Sequence, residues 1–333
     1  MSEIRKLAVI GGGGFGTALA VVAVRAGRDV TLWARDPLLA AAIDQRHENP
    51  KYLPGVALPE ALRASSDLAV ASQAEALLLA VPAQFMRGVL AALSPHLPAG
   101  APLLVCAKGI EAGSLLLMHQ LVRQIAPSHP VAVLSGPSFA TDIARGLPTA
   151  VSLASDNRAI AEALAQAIGT KSFRPYLSDD LVGVELGGAI KNVIAIACGI
   201  TDGRGLGDSA RAALMTRGLA EMTRLALALG GQARTMMGLA GIGDLALSCN
   251  SRQSRNFMLG LRLGQGEALA DIFSHSRGVI EGASTAGASV QLAKRHQVEM
   301  PICAAVDQIL NGGALIEAAI AELLARPLTS EAL

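Results

Sequence analysis

Residues 11–16 read Gly-Gly-Gly-Gly-Phe-Gly, directly after the apolar run Leu7–Ile10 and directly before a helix-like stretch, Thr17–Ala26. Few local patterns restrict a chain so much. A glycine-rich turn that leaves a strand and opens a helix has the G-x-G-x-x-G spacing of a dinucleotide loop. Gly11 permits the tight turn, Gly13 lets backbone approach a pyrophosphate, and Gly16 lets the helix pack closely on the strand. The helix start adds amide donors and the positive end of a dipole. The same stretch argues against a membrane anchor, although Arg5 and Lys6 precede an apolar run reaching Val24. Glycines at 11, 12, 13, 14 and 16 make a poor apolar helix, and no other run of about 20 apolar residues follows, so no membrane span is expected.

Beyond the loop, short β-branched or leucine-rich runs recur at Leu7–Ile10, Val30–Trp33, Ala76–Val81, Pro102–Cys106, Val131–Leu134 and Ala150–Ala154. Helix-like segments lie between several of them, at Phe85–Leu93, Leu115–Ile125 and Arg158–Ile168. Continuous apolar strands alternating with helices predict an α/β fold with an N-terminal doubly wound, Rossmann-type parallel sheet covered on both faces. From about Asp179 the period changes to that of helices punctuated by glycine: Leu181–Ile200, Ser209–Leu229, Ser254–Gly264, Gly282–Gln297 and Ile302–Leu310. Ser209 is the predicted N-cap of the second of these and Gly230 its C′ residue. A chain of 333 residues exceeds the roughly 250 to 300 that one hydrophobic core supports, so two domains are expected. Residues 1–179 form the dinucleotide-binding domain, and residues 180–333 form an all-helical substrate-binding and catalytic domain.

Charge balance narrows the partner. With 28 basic against 27 acidic residues and 3% aromatics, the chain offers neither the cationic face nor the stacking platforms that nucleic acid requires. A small molecule fits better. The cysteines at 106, 198, 249 and 303 lie far apart without C-x-x-C spacing, which predicts reduced thiols and a cytoplasmic location.

In doubly wound sheets ligands sit beyond the carboxyl ends of the strands, so chemistry is sought there. The second strand ends at Trp33-Ala34-Arg35-Asp36, about 20 residues past the glycines, where an acid holding the ribose hydroxyl marks NAD specificity. Arg35 suits the 2′-phosphate of NADP, while Asp36 could still point at a ribose, so NADPH is favoured over NADH. Val81-Pro82-Ala83-Gln84, Cys106-Ala107-Lys108-Gly109 and Ser135-Gly136-Pro137-Ser138-Phe139-Ala140 follow later strands. In the helical half, Leu181–Ile200 is apolar on nearly every side, yet Lys191 and Asn192 interrupt it. An ammonium there is costly unless paired or lining a cavity, and a lysine so placed is suited to proton exchange. Gly243-Asp244-Leu245 sets one acid among apolar residues, and Ser254-Arg255-Asn256 concentrates phosphate-type donors just before a helix.

The segment Gly188-Ala189-Ile190-Lys191-Asn192-Val193-Ile194-Ala195, continuing through Gly199 and Asp202-Gly203, resembles the signature of the NAD(P)-dependent glycerol-3-phosphate dehydrogenases of bacteria. Cys106–Gly109, Ser135–Ala140, Gly243–Leu245, Gln253–Asn256 and Val279–Gly282 match further blocks of that family in order. The resemblance implies that Lys191 is the catalytic acid/base, and that Lys108, Gly136, Ser138, Lys191, Asp244, Ser254, Arg255 and Asn256 bind the phosphorylated substrate. It assigns Gly14, Phe15, Arg35, Lys108, Ala140, Arg255, Val279 and Glu281 to the dinucleotide. It also implies reduction of dihydroxyacetone phosphate to sn-glycerol 3-phosphate for phospholipid synthesis, with no metal, and leaves a homodimer open. Three positions depart from the common pattern: Gly14 stands where serine is frequent, and Arg204 and Ser209 where an apolar residue and an asparagine are usual. Two rival classes share parts of the pattern. A β-hydroxyacid dehydrogenase would need a carboxylate site in place of Ser254-Arg255-Asn256, and a non-catalytic NADPH sensor would have no use for Lys191 and Asp244.

Overall fold

The computed structural model describes residues 3–276 and 278–327. The chain divides into two compact units, Met1–Ala107 with Met118–Val184, and Lys108–Leu117 with Glu185–Leu333. Two features of this division escape a search by period. The change of unit falls inside an unbroken helix, Leu181–Gly203, and the ten residues from Lys108, closed by an antiparallel bridge between Ile110 and Leu117, belong to the second unit.

In the first unit the strands are β1 (Lys6–Ile10), β2 (Asp29–Trp33), β3 (Glu48–Asn49), β4 (Leu53–Ala57), β5 (Arg63–Ser65), β6 (Ala76–Leu79), β7 (Leu103–Val105), β8 (Val131–Ser135), β9 (Thr149–Ala154) and β10 (Phe173–Ser178). Eight of them form one sheet in the order β10-β9-β8-β7-β6-β1-β2-β5, and β3 and β4 form a separate antiparallel ribbon. Ile10 pairs with both Trp33 and Leu79, so the tips of the three central strands end level and the glycine turn emerges between them. Helices α1 (Gly14–Arg25), α2 (Pro37–Arg46), α3 (Ala83–Leu93), α4 (Met118–Ile125), α5 (Ala140–Ala144) and α6 (Arg158–Ile168) supply the crossovers.

The sheet departs from the all-parallel expectation at one junction, where β8 and β9 run antiparallel. The connection, residues 136–148, carries only the five-residue α5, about 7 Å of helix, and no helix as long as a strand. Of the strands missed in the sequence, β3 and β4 make the ribbon, while β5 and β10 lie at the two edges of the sheet; their Arg63, Arg174 and Tyr176 replace the apolar run that betrays a central strand.

The second unit is helical: α7 (Leu181–Gly203, begun in the first unit), α8 (Asp208–Ala228), α9 (Ala233–Met236), α10 (Asp244–Cys249), α11 (Arg255–Gly264), α12 (Leu269–Ser274), α13 (Glu281–Arg295), α14 (Pro301–Asn311) and α15 (Ile316–Leu324). A π-helical turn, Leu239–Gly243, leads into α10. α7 is long and apolar enough to cross a membrane, but 94% of its most apolar stretch is buried within the protein, as in a core helix. It touches α11 backbone to backbone. A Cβ on Gly199 would overlap the carbonyl oxygen of Phe257, and one on Gly260 would overlap that of Ile196. The N-cap of α8 is Gly207, at φ +89°, and not Ser209; the chain enters that helix through a left-handed turn that only glycine adopts freely. Gly230 does follow the helix end in the left-handed region, at φ +85°.

Candidate active site

The glycine loop can be tested position by position, because each glycine has its own surroundings. Gly11 sits at φ +129°, and a Cβ there would lie 2.6 Å from the carbonyl oxygen of Ala80. A Cβ on Gly16 would overlap the carbonyl oxygen of Gly11. Both glycines are therefore demanded by the fold. Gly13 is different: its backbone is extended, at φ −68° and ψ 171°, and nothing lies within 4 Å of where its Cβ would stand. Folding does not require glycine at 13, whereas close approach of a ligand does, so the loop fits a dinucleotide. At the end of β2, Arg35 is exposed and its guanidinium lies 5.9 Å over the ring of Phe85, itself 48% exposed. Asp36, the next residue, is exposed. Its carboxylate caps α2, accepting from the amide of Leu38 at 3.0 Å. In the turn after β8, Ser138 Oγ donates to the carbonyl of Gly136 at 2.7 Å, and Ala140 opens α5.

The second unit gathers the ionisable residues. Asp244, 1% exposed, is the first residue of α10. Its Oδ2 accepts from Lys108 Nζ at 2.7 Å, and its Oδ1 lies 3.0 Å from Lys191 Nζ. Lys191 Nζ also donates to Ser248 Oγ at 2.5 Å. Residues 244 and 248 are one helical turn apart, which puts carboxylate and hydroxyl on one face of α10. Burial pushes the Lys108 ammonium below the usual lysine range, with repulsion from Lys191 acting the same way and the attraction of Asp244 and Glu281 opposing it. Burial alone would push the Asp244 carboxyl up, but the ammonium groups of Lys108 and Lys191 outweigh it and hold the carboxyl below its ordinary value. Two ammonium groups thus face one buried carboxylate, and Glu281 acts on Lys108 as a further negative charge.

An amide relay extends from this cluster. Asn192 Nδ2 donates to the carbonyl oxygens of Lys108 and Gly188, each at 3.3 Å, while its Oδ1 accepts from Asn256 Nδ2 at 2.8 Å. Asn256 Oδ1 in turn accepts from the amide of Gly282 at 3.0 Å. Ser254 caps α11, its Oγ accepting from the amide of Phe257 at 3.2 Å. Arg255, the next residue, is exposed. Glu281 begins α13, and Val279 lies two residues before it, half-buried.

The family description "NAD-dependent glycerol-3-phosphate dehydrogenase N-terminus" matches residues 6–161, and the corresponding C-terminus matches residues 180–321. The chain belongs to the NAD-dependent glycerol-3-phosphate dehydrogenase family. A glycerol-3-phosphate dehydrogenase of the NAD(P)+ type from Parvibaculum lavamentivorans is 54% identical over 327 residues, covering 98% of each chain. One from Rhodospirillum rubrum is 55% identical, over 98% of this chain and 94% of that one. The crystal structure of the Coxiella burnetii glycerol-3-phosphate dehydrogenase superimposes with a TM-score of 0.93 at 40% identity, covering 97% of this chain and 99% of that one.

Against the family pattern the departures find local explanations. A Cβ at Gly14 would stand 3.0 Å from the carbonyl oxygen of Tyr52 and 3.6 Å from Ala140 Cβ, so here glycine relieves a tight contact. Arg204 pairs with Glu317 of α15, and Ser209 is exposed in the first turn of α8. Sequence reasoning passed over Ser248 and Phe85 as site residues. Ser248 was legible as Asp244 plus four on a helix, once α10 was known to begin at Asp244. Phe85 carried no signal, because an exposed aromatic in an α3 pattern reads as surface until Arg35 is placed over it.

Proposed function

We propose that Lys191 is the proton donor in the reduction of dihydroxyacetone phosphate to sn-glycerol 3-phosphate, a reaction for which NAD(P)H supplies the hydride when bound. The observation that carries this reading is the single buried carboxylate, Asp244, shared by Lys108 and Lys191. As the carbonyl oxygen becomes an alkoxide, Lys191 Nζ gives it a proton, and the Lys108 ammonium beside it stabilises the oxyanion. Asp244 and Ser248 hold Lys191 in one orientation until then. Lys108, Gly136, Ser138, Lys191, Asp244, Ser254, Arg255 and Asn256 bind the substrate. The guanidinium of Arg255 grips the phosphate dianion.

Gly11, Gly13, Gly14, Phe15, Gly16, Arg35, Lys108, Ala140, Arg255, Val279 and Glu281 hold the dinucleotide. Arg35 favours NADPH over NADH. The product is the backbone of glycerophospholipids. The enzyme works in the cytoplasm, in keeping with four free, buried cysteines. Light scattering behind size exclusion decides whether it is a homodimer.

Lys191→Arg tests the assignment. Arginine keeps the charge but does not release a proton, so turnover should fall by about two orders of magnitude, on the scale of general acid catalysis, while NADPH binding survives. A folded variant with near-normal turnover would overturn the role, and Lys108 would become the leading proton donor.

A further inference from the structure

Asn49 lies outside every role assigned above, yet it is the most constrained polar side chain of the first unit. It is fully buried, on the short β3 of the β3–β4 ribbon. Its Nδ2 donates to the carbonyl oxygen of Gly12 at 3.0 Å and to Thr17 Oγ1 at 2.8 Å, and its Oδ1 accepts from the amide of Tyr52 at 3.0 Å. One amide group thus ties together the glycine loop, the first turn of α1 and the ribbon. Its two N–H groups and its oxygen are all engaged. Thr17, likewise buried, adds a long contact of its own hydroxyl to the Gly12 carbonyl at 3.5 Å.

The geometry of a peptide unit gives that tie its meaning. In a trans peptide the C=O of one residue and the N–H of the next point to opposite sides. Drawing the Gly12 carbonyl inward to Asn49 turns the Gly13 N–H outward, toward the open space around Gly13. We propose that Asn49 is a positioning residue that fixes the Gly12–Gly13 peptide so that its N–H is presented to the pyrophosphate of the dinucleotide. The inference rests on the glycine loop being the dinucleotide site. The pyrophosphate is common to NADH and NADPH, so Asn49 serves both alike, whereas Arg35 tells them apart.

The test measures dissociation constants for NADPH and NADH by fluorescence titration of the folded enzyme, together with the Michaelis constant for dihydroxyacetone phosphate at saturating cofactor. Asn49→Ala frees the Gly12 carbonyl and should weaken both cofactors by the same factor, about tenfold or more, with the substrate constant unchanged. Thr17→Val keeps the shape of the first turn, removes one of the two acceptors that steer Asn49, and should give a smaller loss that is again equal for both cofactors. It carries the test should Asn49→Ala not fold. Gly13→Val is the control, because its Cβ has room in the free protein and only a bound pyrophosphate should meet it. Weakened binding in Gly13→Val with unchanged constants in the Asn49 and Thr17 variants overturns the inference and leaves the loop as the cofactor site. Unchanged binding in Gly13→Val removes the loop reading itself. Unequal losses for the two cofactors in Asn49→Ala would also sink the proposal, since a pyrophosphate contact cannot see the 2′-phosphate.

Discussion

Replacing Asp244 by asparagine changes one atom of the side chain and removes the carboxylate that Lys108 and Lys191 share. Each charge-assisted bond to a carboxylate is worth about 1.5 to 3 kcal/mol. Stripping one partner from a buried ion pair costs about 3 to 5 kcal/mol, because the charge left behind stays buried. Here two ammonium groups are left, with side chains 13% and 9% exposed, so little of the loss is recovered by water. Asparagine keeps one acceptor oxygen, and about 3 kcal/mol is therefore the expected loss near neutral pH. The loss should shrink as pH rises. Burial already holds Lys108 below its ordinary value of 10.5, and without Asp244 it falls further. Between the variant's lowered value and the wild type's, the folded variant sheds a proton that the folded wild type retains, and this relieves the uncompensated charge. Urea denaturation followed by circular dichroism at pH 6 and pH 9, on both proteins, measures the difference. A deficit under about 1 kcal/mol, or one that is the same at both pH values, would refute the account of Asp244 as the counter-charge.

Arg35→Ala should weaken NADPH by one charge-assisted contact, about 1.5 to 3 kcal/mol, and NADH far less; equal losses by titration would remove Arg35 from the 2′-phosphate. Arg255→Ala should raise the Michaelis constant for dihydroxyacetone phosphate while changing turnover much less, because the dianion is gripped in ground and transition states alike; an unchanged constant in steady-state kinetics would place the phosphate elsewhere. Glu221, 1% exposed on α8, accepts from the amides of Ile302 and Cys303 at the start of α14, and burial pushes its carboxyl up to about 6 despite those bonds. A carboxyl raised in the folded state contributes stability that is complete below its unfolded value of 4.5 and is lost as pH rises through about 6. Across that window the wild type should lose about 2 kcal/mol relative to Glu221→Gln, and a difference between the two proteins that is flat with pH in urea titrations would contradict it.

What could be read from the chain alone follows from what leaves a local trace. β1 with its glycine turn was legible because strand, turn and helix are contiguous, and α6 and α7 because their apolar periods are long. β10 was not, since an edge strand bearing Arg174 and Tyr176 lacks the apolar run. The cap of α8 was misread because Ser209 has the right chemistry, while the backbone turn that starts the helix belongs to Gly207. In the site, Lys191 announced itself as a charge in an apolar helix. Asp244, an acid set among apolar residues, was legible as the group to orient that ammonium, but its sharing with Lys108 was not, because 136 residues separate Lys108 from Asp244 and no period or spacing links them. Asn49 was silent for the same reason: its importance lies in Gly12 and Thr17, 37 and 32 residues away.

Because α7 and α11 meet backbone to backbone at Gly199 and Gly260, evolution has lost there its usual means of adjusting a distance. Helices spaced by side chains can drift apart or together by tenths of an ångström as a large residue is exchanged for a small one nearby. At this seam even alanine, the smallest alternative, overlaps a carbonyl oxygen on the facing helix. The separation of Asn192 on one helix from Asn256 on the other is thereby quantised: it is kept, or the seam opens. Selection for a differently sized ligand must act on the flanking loops and on residues reaching in from α10 and α13, with the seam as the fixed datum against which every such change is measured.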